Sequence, residues 1–341
     1  MKRLDRRALL AMGSAALPTA LAGCLRERGS VMSQGAQGDA ARVIVPRPLA
    51  EVVPSERVTE GAGFVVRRPF PTMRRAMADP FLLLDHLGPV VYGPGQAMGA
   101  PDHPHRGFET ISYLLDGEIE HEDSRGNVGR LHPGDLQWMT AGQGIAHSEM
   151  PGRRLRERGG RVHGFQIWVN LPASQKWVAP GYQDLRAAAV PLAERPDGAR
   201  VRVIAGRLYG VEGAVRTRTP VSLAHVTLAR GARFAEALPD DHATAFFYVI
   251  EGRGVFGAER REAREGDMVS FAAAQTGHLL AEQQGAQALE LLLLGARPLR
   301  EPVARYGPFV MNTSDEIAQA FSDYRAGRLG RITRRIADTE G

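Results

Sequence analysis

The chain has 341 residues, 43% of them apolar and 24% charged, with a formal net charge of +5 and a single cysteine. Lys2, Arg3, Arg6 and Arg7 against Asp5 account for much of that charge, and the remainder is too weakly basic to argue for a nucleic-acid partner. One cysteine excludes an intramolecular disulfide, and the length suits one large or two medium globular domains.

At the N-terminus, Lys2-Arg3-Leu4-Asp5-Arg6-Arg7 precedes an apolar run from Ala8 to Ala22 that Pro18 interrupts. Charged, apolar and small residues in that order predict a signal peptide over 1–23. The run is shorter than the roughly 20 residues of a relaxed membrane span. Arg6-Arg7 resembles a twin-arginine signal, and Leu21-Ala22-Gly23-Cys24 resembles a bacterial lipobox. The expectation is an exported lipoprotein, anchored on the periplasmic side of a membrane through lipidated Cys24, with residues 24–42 as a flexible tether. A true start at Met32 would make the protein cytoplasmic instead.

From Val43 onward, short apolar segments alternate with turn residues. Phe81–Leu84, Thr110–Leu115, Leu136–Thr140 and Phe165–Asn170 are such segments, punctuated by Asp116-Gly117, Ser124-Arg125-Gly126-Asn127 and Pro133-Gly134-Asp135. With 39 glycines and 22 prolines, this pattern predicts an all-β sandwich or barrel.

The chemistry is concentrated in two motifs. His103-Pro104-His105-Arg106-Gly107-Phe108-Glu109 comes first, and Gly142-Gln143-Gly144-Ile145-Ala146-His147-Ser148-Glu149 follows. Residues at i and i+2 of a strand share a face, so His103 and His105 converge if that face lines a barrel. A third histidine and a carboxylate from a later strand would close the shell. Neutral imidazoles with one or two carboxylates suit a divalent first-row metal, most naturally Fe(II) with positions open for substrate or O2; Ni, Cu, Mn and Zn accept the same donors.

Other candidates receive plainer readings. His121 and His132 sit in turn-rich polar sequence and are expected in solvent. His86 is either at a pocket mouth or a hydrogen-bonded loop histidine. Trp138, Phe165 and Trp168 fall at strand spacing and are core first, with an edge toward the pocket as the lesser alternative.

A faint repeat pairs Leu114-Leu115-Asp116-Gly117 with Val249-Ile250-Glu251-Gly252, and His132-Pro133-Gly134-Asp135-Leu136 with Arg264-Glu265-Gly266-Asp267-Met268. His147 has an echo in His278. Counting back from Gly252 sets Leu238 opposite His103, Asp240 opposite His105 and Thr244 opposite Glu109. The second half therefore reads as the same barrel without its ligands, and His278 as partly exposed or hydrogen-bonded. In the tail, Thr313-Ser314-Asp315-Glu316 fits a capping box, with Ile317, Ala320, Phe321 and Tyr324 at helical spacing and Gly327 placed to stop the helix.

His103 to Glu109 resembles the first cupin motif, and Gly134 to His147 the second. Four blocks together resemble the pirin family of bicupins: Asp79 through His86, His103 through Met150, Trp168 through Pro172, and Phe309 through Gly327. The resemblance implies two tandem cupin barrels (double-stranded β-helix, or jelly roll) with a short C-terminal helix. It divides the chain into a metal-binding cupin over 43–180, a cupin lacking ligands over 181–310, and a helical tail over 311–341. Carried over residue by residue, it implies a metal, commonly iron, on His103, His105, His147 and Glu149. The general cupin pattern offers Glu109 as the carboxylate instead.

The implied activity is that of a metal-dependent dioxygenase, quercetinase-like, acting on a flavonol or other chelating aromatic with O2. Glu149 or Glu109 would take the substrate proton. The alternative is a non-enzymatic redox sensor or protein-interaction module. A monomer is expected. Pirins are usually intracellular, so the leader is where this chain departs from the family.

Overall fold

A computed structural model describes residues 44–273 and 275–333. The expected signal peptide over 1–23, Cys24 and the whole of the expected tether lie outside the described residues.

Two barrels account for most of the described residues, each built from a seven-stranded and a four-stranded antiparallel sheet. In the first barrel the large sheet runs, in spatial order, 181–185, 136–140, 108–116, 160–170, 81–92, 64–70 and 56–60. The small sheet runs 100–105, 145–151, 119–123 and 128–131. The second barrel repeats the plan, with 233–237, 278–284, 253–256 and 261–264 as its small sheet. The apolar segments read from sequence fall inside strands, and Leu136–Thr140 is one strand in full.

Sheet membership crosses the boundaries read from sequence. Leu49–Pro54, expected in the first cupin, pairs with Asp267–Phe271 at the edge of the second barrel. Gly181–Leu185, expected to open the second cupin, pairs with Leu136–Thr140 in the first. A bare sheet edge leaves a row of unpaired backbone groups, and here the two barrels exchange terminal strands to cover those edges.

Period-two alternation decides which side chains meet. On Phe108–Asp116, Ile111 and Tyr113 enter an apolar core shared by both barrels, together with Phe70, Phe81, Phe246 and Leu292. Phe246 meets Phe70 and Phe81 edge to face, each at 5.6 Å between ring centres. Burying each large side chain there contributes about 1.5–3 kcal/mol. Residues of opposite parity, such as Ser112, face the interior of the first barrel. A separate core within the second half is filled by Phe234, Phe247, Phe256, Phe271 and Leu279.

The tail returns to the first barrel. Thr313 caps the helix Ser314–Arg325 reciprocally with Glu316, as the motif predicts, and Gly327 has φ +73 just past its end. Ile317 and Ala320 pack on Phe309, Met311 and Leu329. Tyr324, expected on that stripe, is 37% exposed, and Asp323 turns inward in its place to pair with Arg106 at 2.8 Å. The hairpin ahead of the helix (304–306 and 309–311) lies against Gly107, whose φ of +89 and lack of a side chain admit the Val310 carbonyl. Lys176, fully buried, donates to the carbonyl oxygens of Gly107 and Val310 and to Asn170 Oδ1, tying the hairpin to the barrel.

Candidate metal centre

His103 and His105 stand on Ala100–His105, and His147 on the neighbouring strand Ile145–Pro151. The antiparallel register sets His147 directly opposite His103 and Ile145 opposite His105. Ligand atoms of the three imidazoles lie within 4.8 Å of one another, and among the described residues no other group of three or more potential ligands is this close.

Their hydrogen bonds fix which nitrogens face inward. His103 Nδ1 donates to Pro101 O at 2.7 Å, and His105 Nδ1 donates to Pro308 O at 3.2 Å. His147 Nδ1 meets His121 Nε2 at 3.0 Å. With the protons on Nδ1, the Nε2 lone pairs of His103 and His105 confront each other at 3.1 Å. His147 Nε2 is buried without any hydrogen-bond partner. An orphaned buried nitrogen costs about 1–3 kcal/mol, and lone pairs converging on one point are what a cation relieves. The donor set therefore fits a metal. Burial and the neighbouring imidazoles hold His105 and His147 well below the ordinary histidine range, so both are neutral and ready to coordinate.

Beside the cluster opens a cavity of about 580 Å3, with Leu87, Met98, Ile119 and Trp168 among its walls and Glu149 at its edge. Glu149 shares the strand face of His147, and its Oε1 accepts from Ser112 Oγ at 2.5 Å. Arg68 and Asp85, joined by two hydrogen bonds of 2.6 Å, form part of the cavity wall.

Residues 63–169 match the Pirin family, and residues 223–330 match the Pirin C-terminal cupin domain. Pirin-like protein 2 of Arabidopsis thaliana is 39% identical over 290 residues, spanning 84% of this chain and 86% of that protein. The chain belongs to the pirin family. A Pseudomonas aeruginosa protein provisionally named quercetin 2,3-dioxygenase is 40% identical over 289 residues, 83% of this chain and 98% of that one. A solved structure of quercetin 2,3-dioxygenase from Acinetobacter baumannii superposes with a TM-score of 0.78 at 32% identity, covering 85% of this chain and all of that one.

Within this pirin the structure brings His103, His105 and His147 together and sets Glu149 on the same cavity. It does not bring Glu109 there. Glu109 has the parity of Ile111 and Tyr113 and so faces away from Ser112 and the cavity. One of its oxygens accepts from Thr140 Oγ1 at 2.6 Å. Burial pushes its carboxyl up, opposed by Thr140 and the Trp138 indole.

Three further readings are corrected or resolved. His121, expected in solvent, is 1% exposed, because the register pairs it with Glu149 and turns it inward; His132 is exposed as expected. His86 is neither at the cavity mouth nor in a loop. It lies buried in the strand Phe81–Tyr92, between His163 Nε2 at 2.7 Å and the Tyr248 hydroxyl at 3.0 Å. Trp138 and Phe165 are core, whereas Trp168 borders the cavity with its ring 5.0 Å from that of His105. Phe108 packs on Trp168 at 4.4 Å and the Arg305 guanidinium sits 5.0 Å over it, so the indole offers the cavity mainly an edge. Sequence reading missed Ser112, Arg68 and Arg305 at this site; the parity shared by Ser112 and Thr110 was the one available signal.

In the second barrel, Leu238 is buried, Asp240 is exposed, and His278 Nδ1 donates to Val45 O. The register sets Ala237, not Leu238, opposite His278, where His103 stands opposite His147 in the first barrel.

Proposed function

We propose that this pirin is a metal-dependent dioxygenase of the quercetinase type, acting on a flavonol or related chelating aromatic with O2. The observation that carries the reading is the buried, unpartnered Nε2 of His147, converging with His103 and His105 beside an open, largely apolar cavity. The dioxygenase names of relatives at 40% and 32% identity support it.

His103, His105 and His147 would hold the metal, with Glu149 as the fourth ligand. A divalent ion, Fe(II) by preference and Ni, Cu, Mn or Zn by donor type, supplies Lewis acidity toward an enolate or phenolate and, where redox-active, electron transfer toward O2. Ser112 fixes one oxygen of Glu149, and the carboxylate takes the proton of the substrate hydroxyl. Leu87, Met98 and Ile119 exclude water and accept a flat ring system. The leader read over residues 1–23, followed by Cys24, supports an extracytoplasmic, lipid-anchored setting, which Cys24→Ser would abolish by releasing the protein from the membrane fraction.

The test is oxygen uptake by the metal-loaded protein across a panel of flavonols and catechols. Substrate-dependent uptake that disappears in His103→Ala is expected. No uptake across the panel at full metal occupancy would overturn the enzyme and favour a sensor or interaction module.

A further inference from the structure

The three histidine ligands are not supported alike. His103 and His105 each donate from Nδ1 to a backbone carbonyl, those of Pro101 and Pro308. His147 instead faces a side chain, His121 Nε2, at 3.0 Å. His121 lies on Ile119–Asp123 and is paired across the strands with Glu149. One buried imidazole thus touches one proposed ligand and stands opposite another.

His121 is itself clamped. The Tyr182 ring packs edge-on against it at 5.3 Å between centres, and the Tyr182 hydroxyl donates to Asp123 Oδ2 at 2.6 Å. Asp123 also accepts from the backbone N–H groups of Arg125 and Asn127 and from the Asn127 amide. The imidazole is held between Tyr182 and His147, whose rings lie 5.3 and 5.1 Å from it.

We infer that His121 is a positioning residue of the metal centre, holding the His147 tautomer and ring angle through an imidazole–imidazole hydrogen bond. The inference rests on the reading that His103, His105 and His147 hold a metal. A carbonyl oxygen is a fixed acceptor, whereas an imidazole nitrogen acts only when its own proton sits on Nδ1. The His121 side chain therefore sets how strongly His147 donates to the metal. Loss of such a supporting partner typically costs 10–100-fold in metal affinity.

The experiment compares wild type, His121→Phe and His121→Gln as full chains, measuring Co2+ and Ni2+ affinity by chelator competition together with the visible spectrum of the Co2+ form. Phe keeps a ring for Tyr182 but has no acceptor; Gln places an amide oxygen near the lost nitrogen. His121→Phe should bind 10–100-fold more weakly with an altered Co2+ spectrum, and His121→Gln should recover most of the affinity. Equal binding by wild type and His121→Phe, or equal loss in both variants, would overturn the inference. If His121→Phe does not fold, His121→Asn, whose amide falls short of His147, replaces it under the same criteria. Wild type without bound metal would instead overturn the metal-site reading itself.

Discussion

His105 and Pro308 are hydrogen-bonded across 203 residues of sequence, from the imidazole Nδ1 to the carbonyl oxygen at 3.2 Å. The contact makes a histidine of the first barrel depend on a hairpin that follows the second. The same hairpin is secured by the Val310 N–H donating to Arg106 O, by Lys176, and by the Arg106–Asp323 pair. At the proposed site, docking of the tail should therefore tune metal affinity.

Gly107→Ala tests this coupling. A β-carbon at φ +89 costs about 1–2 kcal/mol in backbone strain alone, and it would also strike the Val310 carbonyl. The variant should unfold at a lower temperature and bind metal at least tenfold more weakly, as read by calorimetry and chelator competition. Unchanged affinity would separate the hairpin from the site.

The two glutamates should part company. Glu149→Gln removes a charge that offsets the cation and should weaken metal binding at every pH. Glu109→Gln, on the far face of its strand, should leave metal affinity within about threefold of wild type, since it touches no ligand. Metal analysis of both variants decides, and the reverse outcome would reassign the fourth ligand to Glu109.

Acid should loosen the joint between the barrels. Burial, with neighbouring cationic groups, holds His86 down to about 2 and His163 down to about 4, against 6.5 for a free histidine. Below pH 6.5 the unfolded chain takes up protons that the folded pair refuses. The stability contributed by the neutral pair is complete above pH 6.5 and falls as pH drops, by up to about 1.4 kcal/mol per pH unit for each group. Urea unfolding at pH 7, 6 and 5 should show this decline, and a double His86→Asn, His163→Asn variant should flatten it. A slope identical to wild type in the double variant would remove these histidines from the account.

Much of the site was legible because strand parity is a local property. His103 and His105 follow from i and i+2 spacing, while His147 and Glu149 rest on the family resemblance together with that spacing; the structure gathers the three imidazoles and sets Glu149 on the adjoining cavity. Glu109 enters only as the alternative carboxylate of the general cupin pattern, and strand parity puts it beside Ile111 rather than Ser112. His121 was misread from the turn residues around it, since its burial depends on an antiparallel register with Glu149 that no local pattern displays. Pro308 as a partner of His105, and the exchange of Leu49–Pro54 and Gly181–Leu185 between barrels, are long-range pairings that leave no sequence periodicity. On the tail helix, apolar spacing favoured Tyr324, but the buried Arg106 guanidinium drew Asp323 inward instead.

The measurement that bears most directly on the central claim is metal content per chain in wild type, His147→Ala and His278→Ala, each purified at full length. Wild type should carry one divalent transition metal, His147→Ala almost none, and His278→Ala the same as wild type, because Phe234, Phe247 and Leu279 fill the core of the second half. Metal retained in His147→Ala, or lost in His278→Ala, would contradict a single three-histidine centre in the first barrel.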